Sequence, residues 1–182
     1  TSGRGQVIDA AMTDGASVLG QFQWAMRARD QWSDVAGTNM LDTGFPFYDV
    51  YTCSDGKFMA VGCLEPQFYA EFARLLGIDG EGMPGQFDFD RWDELREIIA
   101  GKFAEKPRDE WAELFYGTDA CTTPVLTYTE ALDHPHNAAR KTFVEVAGDL
   151  GPAPAPRFSR TPAPAVPAAP PREATAIDQV WA

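Results

Sequence analysis

The chain has 182 residues, enough for one domain or two small ones, and its 45% hydrophobic and 12% aromatic content describes a globular rather than a disordered protein. A net charge of −12 and a pI near 4.5 argue against sequence-independent binding to nucleic acid or anionic membrane, and no arginine cluster offers a local exception. Cys53, Cys63 and Cys121 form an odd set without CxxC spacing, which excludes a disulfide framework or cysteine zinc site and suits a reduced, cytoplasmic protein.

No apolar run reaches membrane-spanning length, and no signal peptide is evident. The opening Thr1-Ser-Gly-Arg-Gly5, without an initiator Met, reads as a surface turn inside a longer protein. Gln6 to Asp9 predicts a short strand. Ala10 to Arg29 predicts a helix with Val18, Leu19, Phe22 and Met26 on one face, weakened by Gly15 and Gly20. So long an opening helix implies docking against something outside the chain. Residues 31–46 mix Ser, Asp, Gly, Asn and Pro and read as an extended connector.

Phe47 to Cys63 is β-branched and aromatic and is interrupted by Asp55-Gly56, a strong hairpin signal. A two-residue turn there sets Cys53 opposite Phe58 and Cys63 opposite Tyr48, so the two thiols are not cross-strand partners. Pro66 is suited to open a helix, Phe68, Tyr69, Phe72, Leu75 and Leu76 recur at helical spacing, and Gly77 stops it. Gly80 to Phe89 is a Gly-rich loop, and Asp90 should cap a helix burying Trp92, Leu95, Ile99 and Phe103. Pro107 opens another helix, with Trp111, Leu114 and Phe115 on its buried side. Gly117 to Leu126 is a polar loop running into a brief strand. Thr129 is placed to cap a helix ending near Asp133, His136 to Arg140 makes a helical turn, and Thr142 to Val146 a strand. From Gly151 to Pro171 the composition turns to Pro and Ala, an extended tail.

Chemistry converges on Gly62-Cys-Leu-Glu65-Pro66. Glu65 stands where a strand becomes a helix, beside the positive end of the helix dipole, which favours its ionised form. It either caps the helix or faces whatever enters the cleft; Ser, Thr, Asp and Asn are the better caps. The only histidines, His134 and His136, flank a stiffening Pro135 and read as structural. The five methionines fill core or line a pliable apolar surface. Cys121 has no adjacent base to activate it. One carboxylate without a nearby histidine is no complete acid–base machine, so residue physics alone names no reaction.

Asn39-Met-Leu-Asp-Thr-Gly-Phe-Pro-Phe-Tyr48, Asp55-Gly-Lys-Phe-Met-Ala-Val-Gly62 and Glu65-Pro-Gln-Phe-Tyr69 closely resemble the α-methylacyl-CoA racemases of the family III CoA-transferase superfamily. The likeness continues through Thr118 to Leu126, His136-Asn137 and Pro154 to Pro162, and Gly5 to Gly15 resembles a stretch just past mid-chain in that family. It covers nearly all of this chain but only about the C-terminal half of a family member.

The resemblance implies an α/β family fold, built as an interlocked homodimer. This chain would be mainly its small α+β domain, hairpin plus helices. The flanking linker, helix and Pro-rich tail segments would belong to the large CoA-binding domain. Residues 1–30 would be the C-terminal helix segment of that large domain, 31–45 a linker, 46–126 the small domain, and 127–182 a return segment and extended Pro-rich tail toward the large domain. Family racemases invert the α-carbon of a 2-methylacyl-CoA with a His and an Asp as bases, both in the half this chain lacks. Glu65 matches the Glu that orients that His across the interface, and Met12, Met26, Met40, Leu64 and Cys121 become candidates for the acyl pocket. No separate cofactor is implied, CoA being part of the substrate, and neither nucleic acid nor membrane is a partner. The transferase branch typically has Gly-Asn where this chain has Gly62-Cys63, which favours racemase. A CoA transferase portion and a non-enzymatic split-gene subunit remain as alternatives.

Overall fold

The computed structural model describes residues 3–165. They fall into two compact units, one running through Val125 and the other beginning at Leu126.

The first unit opens with residues 4–11 in irregular, exposed backbone, where a strand over Gln6–Asp9 was expected. Two helices follow instead of one, α1 (Met12–Leu19) and α2 (Gln21–Arg27). Gly20 interrupts them with φ −78° and ψ 10°, the cost of an unsupported glycine in a helix showing as a break. Val18, Leu19 and Phe22 are exposed on these helices.

Residues 31–46 are not extended but fold into successive turns around buried Asn39. Asn39 Oδ1 accepts from the Ser33 amide at 2.7 Å. Its Nδ2 donates to the Ser33 carbonyl at 3.1 Å and to Asp42 Oδ2 at 2.7 Å. An Asn side chain that mimics backbone donors and acceptors converts a polar linker into a fixed loop. Gly44 closes it: a Cβ there would lie 2.5 Å from the Asn39 carbonyl oxygen.

The hairpin comprises β1 (Tyr48–Thr52) and β2 (Phe58–Gly62), antiparallel, with β3 (Thr122–Pro124) on the far side of β2. Its register pairs Tyr48 with Gly62 and Thr52 with Phe58, one residue off the two-residue-turn expectation. The Cys53 amide donates to the Lys57 carbonyl at 2.8 Å, so Ser54, Asp55 and Gly56 make a three-residue loop with Gly56 at φ 75°. Cys53 and Cys63 are still not partners, and all three cysteines are free. The register places Tyr51, Met59 and Val61 on the buried face and Val50, Phe58 and Ala60 on the open one.

Against the buried face pack α3 (Pro66–Leu76), α4 (Trp92–Phe103) and α5 (Arg108–Phe115). α3 begins at Pro66 and ends at Gly77, left-handed at φ 75°, as its sequence implies. Phe72, Phe103 and Phe115 form the centre, with Phe72 and Phe115 stacked at 6.1 Å between centroids and Trp111 donating its indole N–H to the Phe103 carbonyl at 3.0 Å. Asp90 caps nothing: it lies within a short 3-10 turn (Phe89–Arg91) that leads directly into α4. Leu114 is largely exposed, and buried Arg108 takes inward space beside Trp111, its guanidinium donating to the Val125 carbonyl at 2.9 Å. Arg108, Trp111 and Phe115 share the inward face at helical spacing, and Leu114 falls on another.

In the second unit, α6 (Tyr128–Asp133) is capped by Thr127 rather than Thr129, in a full capping box with Glu130. α7 (Pro135–Arg140) follows, tied to α6 by Asn137 Nδ2 donating to the Ala131 carbonyl at 2.8 Å. β4 (Phe143–Val146) pairs with β5 (Asp149–Pro152) across Ala147 and Gly148, both at positive φ. β5 takes the first residues of the expected tail into a strand. Of that tail, Val166 onward lies outside the described residues.

Candidate active site

The link from β2 to α3 is where backbone and charge come together. Gly62 donates its amide hydrogen to the Cys121 carbonyl at 2.9 Å, and Cys63 donates to the Phe47 carbonyl at 3.1 Å. Gln86, buried in the Gly-rich loop, donates its side-chain amide to the carbonyls of Cys63 at 3.3 Å and Leu64 at 2.9 Å. Three separate parts of the chain thus hold the residues that lead into Glu65.

Glu65 occupies the N-cap position of α3 with extended backbone, φ −78° and ψ 140°. Its carbonyl accepts the amides of Phe68 and Tyr69, both at 3.0 Å, while its side chain makes no cap bond. The carboxylate is exposed and forms no salt bridge among the described residues. A helix cap spends its side chain on the helix; this one leaves its carboxylate facing outward at the positive end of α3.

Cys121 reaches the same corner from the loop before β3. Its backbone holds φ 48°, a left-handed conformation that is uncommon outside glycine, asparagine and aspartate. Its thiol is pushed above the usual range first by partial burial, then by the negative charges of Glu65 and Asp119. Burial pushes the Cys63 thiol up to about 12, with Cys121 and Glu65 adding to the effect. Both thiols are therefore held protonated, the wrong state for a nucleophile.

Beside this corner the open face of the sheet forms a shallow depression of about 350 Å³, floored by Val50, Ala60, Gly62 and Thr123 and bounded by Tyr48, Thr43 and Cys121. A second groove, about 380 Å³, runs between Gln67 and Phe68 in the first turn of α3 and the segment Gly117 to Asp119. Arg96, on α4, pairs with Asp49 and donates to the carbonyls of Thr43 at 2.8 Å and Gly44 at 3.1 Å, fixing the edge of the depression.

Of the residues singled out by sequence, Glu65 stands on this turn and Cys121 is tied to its start through the bond from the Gly62 amide to the Cys121 carbonyl. Leu64 is adjacent but half-buried against the core. Met12 and Met26 lie on α1 and α2, Met40 lies in the Asn39 loop, and none of the three lines either depression. His134 and His136 belong to the second unit, at the junction of α6 and α7 and within α7. No group of acidic, His or Cys side chains among the described residues is arranged to hold a metal ion, and no described helix is long and apolar enough to cross a membrane. Gln86 was missed by sequence reasoning. Its only signal is a lone amide side chain between Gly85 and Phe87, in a loop whose other polar side chains are the acidic Glu81 and Asp88.

One exposed carboxylate on a fixed turn can accept a hydrogen bond from, and favour the charged form of, a cationic group brought to it. By itself it moves no proton between two faces of a carbon.

The sequence model of CoA-transferase family III matches residues 1–175. The chain is 48% identical over 163 residues to the α-methylacyl-CoA racemase of Mus musculus and 45% identical over 163 residues to that of Homo sapiens. Each alignment covers 89% of this chain and 43% of the relative. The chain therefore spans less than half the length of the curated relatives it matches. Among solved structures, a CaiB/BaiF family protein from Brucella suis superposes with a TM-score of 0.64 at 22% identity, covering 88% of this chain and 43% of that one. Rv3272 from Mycobacterium tuberculosis gives 0.63 at 17% identity, covering 88% and 42%. At that identity the likeness is one of fold, an α/β architecture. The chain belongs to CoA-transferase family III.

Proposed function

We propose that this chain is the C-terminal portion of an α-methylacyl-CoA racemase, an isomerase that epimerises the α-carbon of 2-methylacyl-CoA thioesters by 1,1-proton transfer. The observation that carries this reading is the 48% and 45% identity to two curated racemases, combined with a Glu65 carboxylate left unspent at the head of α3. The His and Asp bases would come from the half of a family member that this chain does not cover, so the chain alone would be inactive. Glu65 would receive the His side chain across an interlocked homodimer interface, orient it, and stabilise the imidazolium formed during proton transfer. Residues 1–30 and 127–182 would join the large CoA-binding domain through the 31–45 segment, leaving 46–126 as the small domain. CoA enters as part of the substrate and no further cofactor is needed. Three free thiols suit the cytoplasm.

The test is α-proton exchange into deuterated solvent with a 2-methylacyl-CoA. Exchange by the complete protein, none by this chain alone, and no CoA transfer to a free carboxylate is the expected pattern. CoA transfer without exchange would replace the racemase reading by the transferase one. Inactivity of the complete protein in both assays would favour a non-enzymatic subunit.

A further inference from the structure

Glu65 has no rigid attachment of its own: its carboxylate is exposed and unbonded, so its aim depends on the backbone that precedes it. Two carbonyls in that backbone, of Cys63 and Leu64, accept no backbone hydrogen bond among the described residues. Left in a half-buried turn they would require some other donor. One residue supplies both. Gln86 is 7% exposed, 23 positions beyond Cys63 and 22 beyond Leu64, and its Nε2 donates to Cys63 at 3.3 Å and to Leu64 at 2.9 Å.

Gln86 is itself held. Its backbone carbonyl accepts the indole N–H of Trp92 at 2.9 Å. Trp92 in turn packs on Phe45 at 4.6 Å and Phe89 at 4.8 Å between centroids, and edge-on to Phe47 at 5.8 Å. Phe47 closes the circuit, since its carbonyl accepts the Cys63 amide at 3.1 Å. The turn before Glu65 is thereby bonded on one side to Phe47, just ahead of β1, and on the other, through Gln86, to the start of α4. Buried amide donors placed with such economy are not surface chance, for an unbonded amide in the interior costs more than a bonded one returns.

We infer that Gln86 is the positioning residue for Glu65: its side-chain amide clamps the β2–α3 turn so that the carboxylate is presented at one fixed place and angle. The role in turnover rests on the racemase reading above; the clamp itself does not. A carboxylate that must meet an imidazole from another chain segment gains from such fixing, because a small misplacement in a catalytic contact is costly in rate.

The experiment has two arms. In this chain, hydrogen exchange is followed by NMR for wild type and Gln86→Met, which keeps length and apolar bulk but removes both donors. The amides of Cys63 and Leu64 should exchange about tenfold faster in the variant, while those of Met59 and Val61 in the β-ladder keep wild-type rates. Unchanged exchange at Cys63 and Leu64 would overturn the clamp. Equal acceleration at Met59 and Val61 would also overturn it, marking Gln86 as ordinary core support.

In the complete enzyme, Gln86→Met should lower kcat about tenfold with little change in KM and should move the pH–rate limb in the direction that Glu65→Gln moves it. Combined with Glu65→Gln it should add almost nothing, since a positioner has no effect once its target is gone. Full additivity would overturn the positioning role. If wild-type enzyme fails to exchange an α-proton, the racemase reading falls, and the exchange rates at Cys63 and Leu64 still decide whether Gln86 is a clamp.

Discussion

The amide of Gly62 and the carbonyl of Cys121 meet at 2.9 Å, and Cys121 adopts φ 48° to bring that carbonyl into place. Left-handed backbone costs a non-glycine residue on the order of 1 kcal/mol, and more when the side chain is β-branched. Cys121→Gly is therefore expected to be neutral or slightly stabilising, and Cys121→Val to destabilise by about 1–3 kcal/mol. Urea denaturation of this chain measures both. A valine variant as stable as wild type would show that the strain is not there.

Cys121 also reports on Glu65. Its thiol is raised by partial burial first and by the Glu65 and Asp119 carboxylates next, so neutralising Glu65 should lower it. Below that pKa the thiolate fraction sets the alkylation rate, and Glu65→Gln should make Cys121 react faster with iodoacetamide near pH 8. Buried Cys53 and Cys63 should stay unreactive in both proteins. Mass spectrometry of timed, quenched samples reads each site. An unaltered rate at Cys121 would separate the two residues.

The same substitution discriminates a cap from a functional group. The Glu65 side chain makes no cap bond, so Glu65→Gln should shift the melting temperature of this chain hardly at all. If the complete protein is the racemase proposed above, the same change should lower its turnover by roughly two orders of magnitude, the loss of one charge-assisted contact in a closed site. The His-dependent limb of the pH–rate profile should move to lower pH, because removing a carboxylate disfavours imidazolium. A normal rate with a normal profile would return Glu65 to a purely local role.

The Asn39 loop should loosen in acid. The Asn39 side chain, followed by the backbone amides of Asn39, Gly37 and Gly44, holds the Asp42 carboxyl below its usual range, against the opposing effect of burial. A carboxyl whose folded value is depressed contributes stability above its unfolded pKa of about 3.9 and loses it as pH falls through the lower folded value. Asp42→Asn should thus melt earlier than wild type near neutral pH, and the difference should shrink as pH falls below the unfolded value of about 3.9 and through the lower folded one. Thermal scans across that range test it; a difference constant with pH would exclude the carboxylate as its source.

Gly44→Ala probes the same loop sterically. The added carbon would sit 2.5 Å from the Asn39 carbonyl oxygen and 2.6 Å from the Asn39 amide nitrogen, both backbone atoms unable to turn aside. A loss of about 1–3 kcal/mol is expected, visible in the urea midpoint. No loss would mean that the loop opens at little cost.

Where the chain's own chemistry is local, its sequence is a good guide. Pro66, the apolar spacing of α3 and Gly77 specify that helix end to end, and Asp55-Gly56 marks the hairpin. The hairpin register escaped because Gly56 supplies the left-handed residue of a three-residue loop, which the dipeptide alone does not distinguish from a two-residue one. The Asn39 loop was hidden for the opposite reason: its polar residues look like solvated linker until one amide gathers them. Glu65 was legible from its place between strand and helix. Gln86 was not, because the carbonyls it holds lie more than twenty residues away and no periodicity links them.

The order β1-β2-β3 has a kinetic consequence. β1 and β2 are joined by a loop of a few residues and need close almost no chain, whereas β3 must return across α3, α4 and α5 to reach Met59 and Val61. Closing that longer circuit is entropically slower, so the third strand should arrive after the hairpin and the helices it spans. The Gly62–Cys121 bond can form only then. The corner that carries Glu65 is consequently the last part of this unit to be assembled, and the first to be lost when β3 frays: protection of the Gly62 amide from exchange should lag that of Met59, paired with Tyr51 in the hairpin ladder, during refolding.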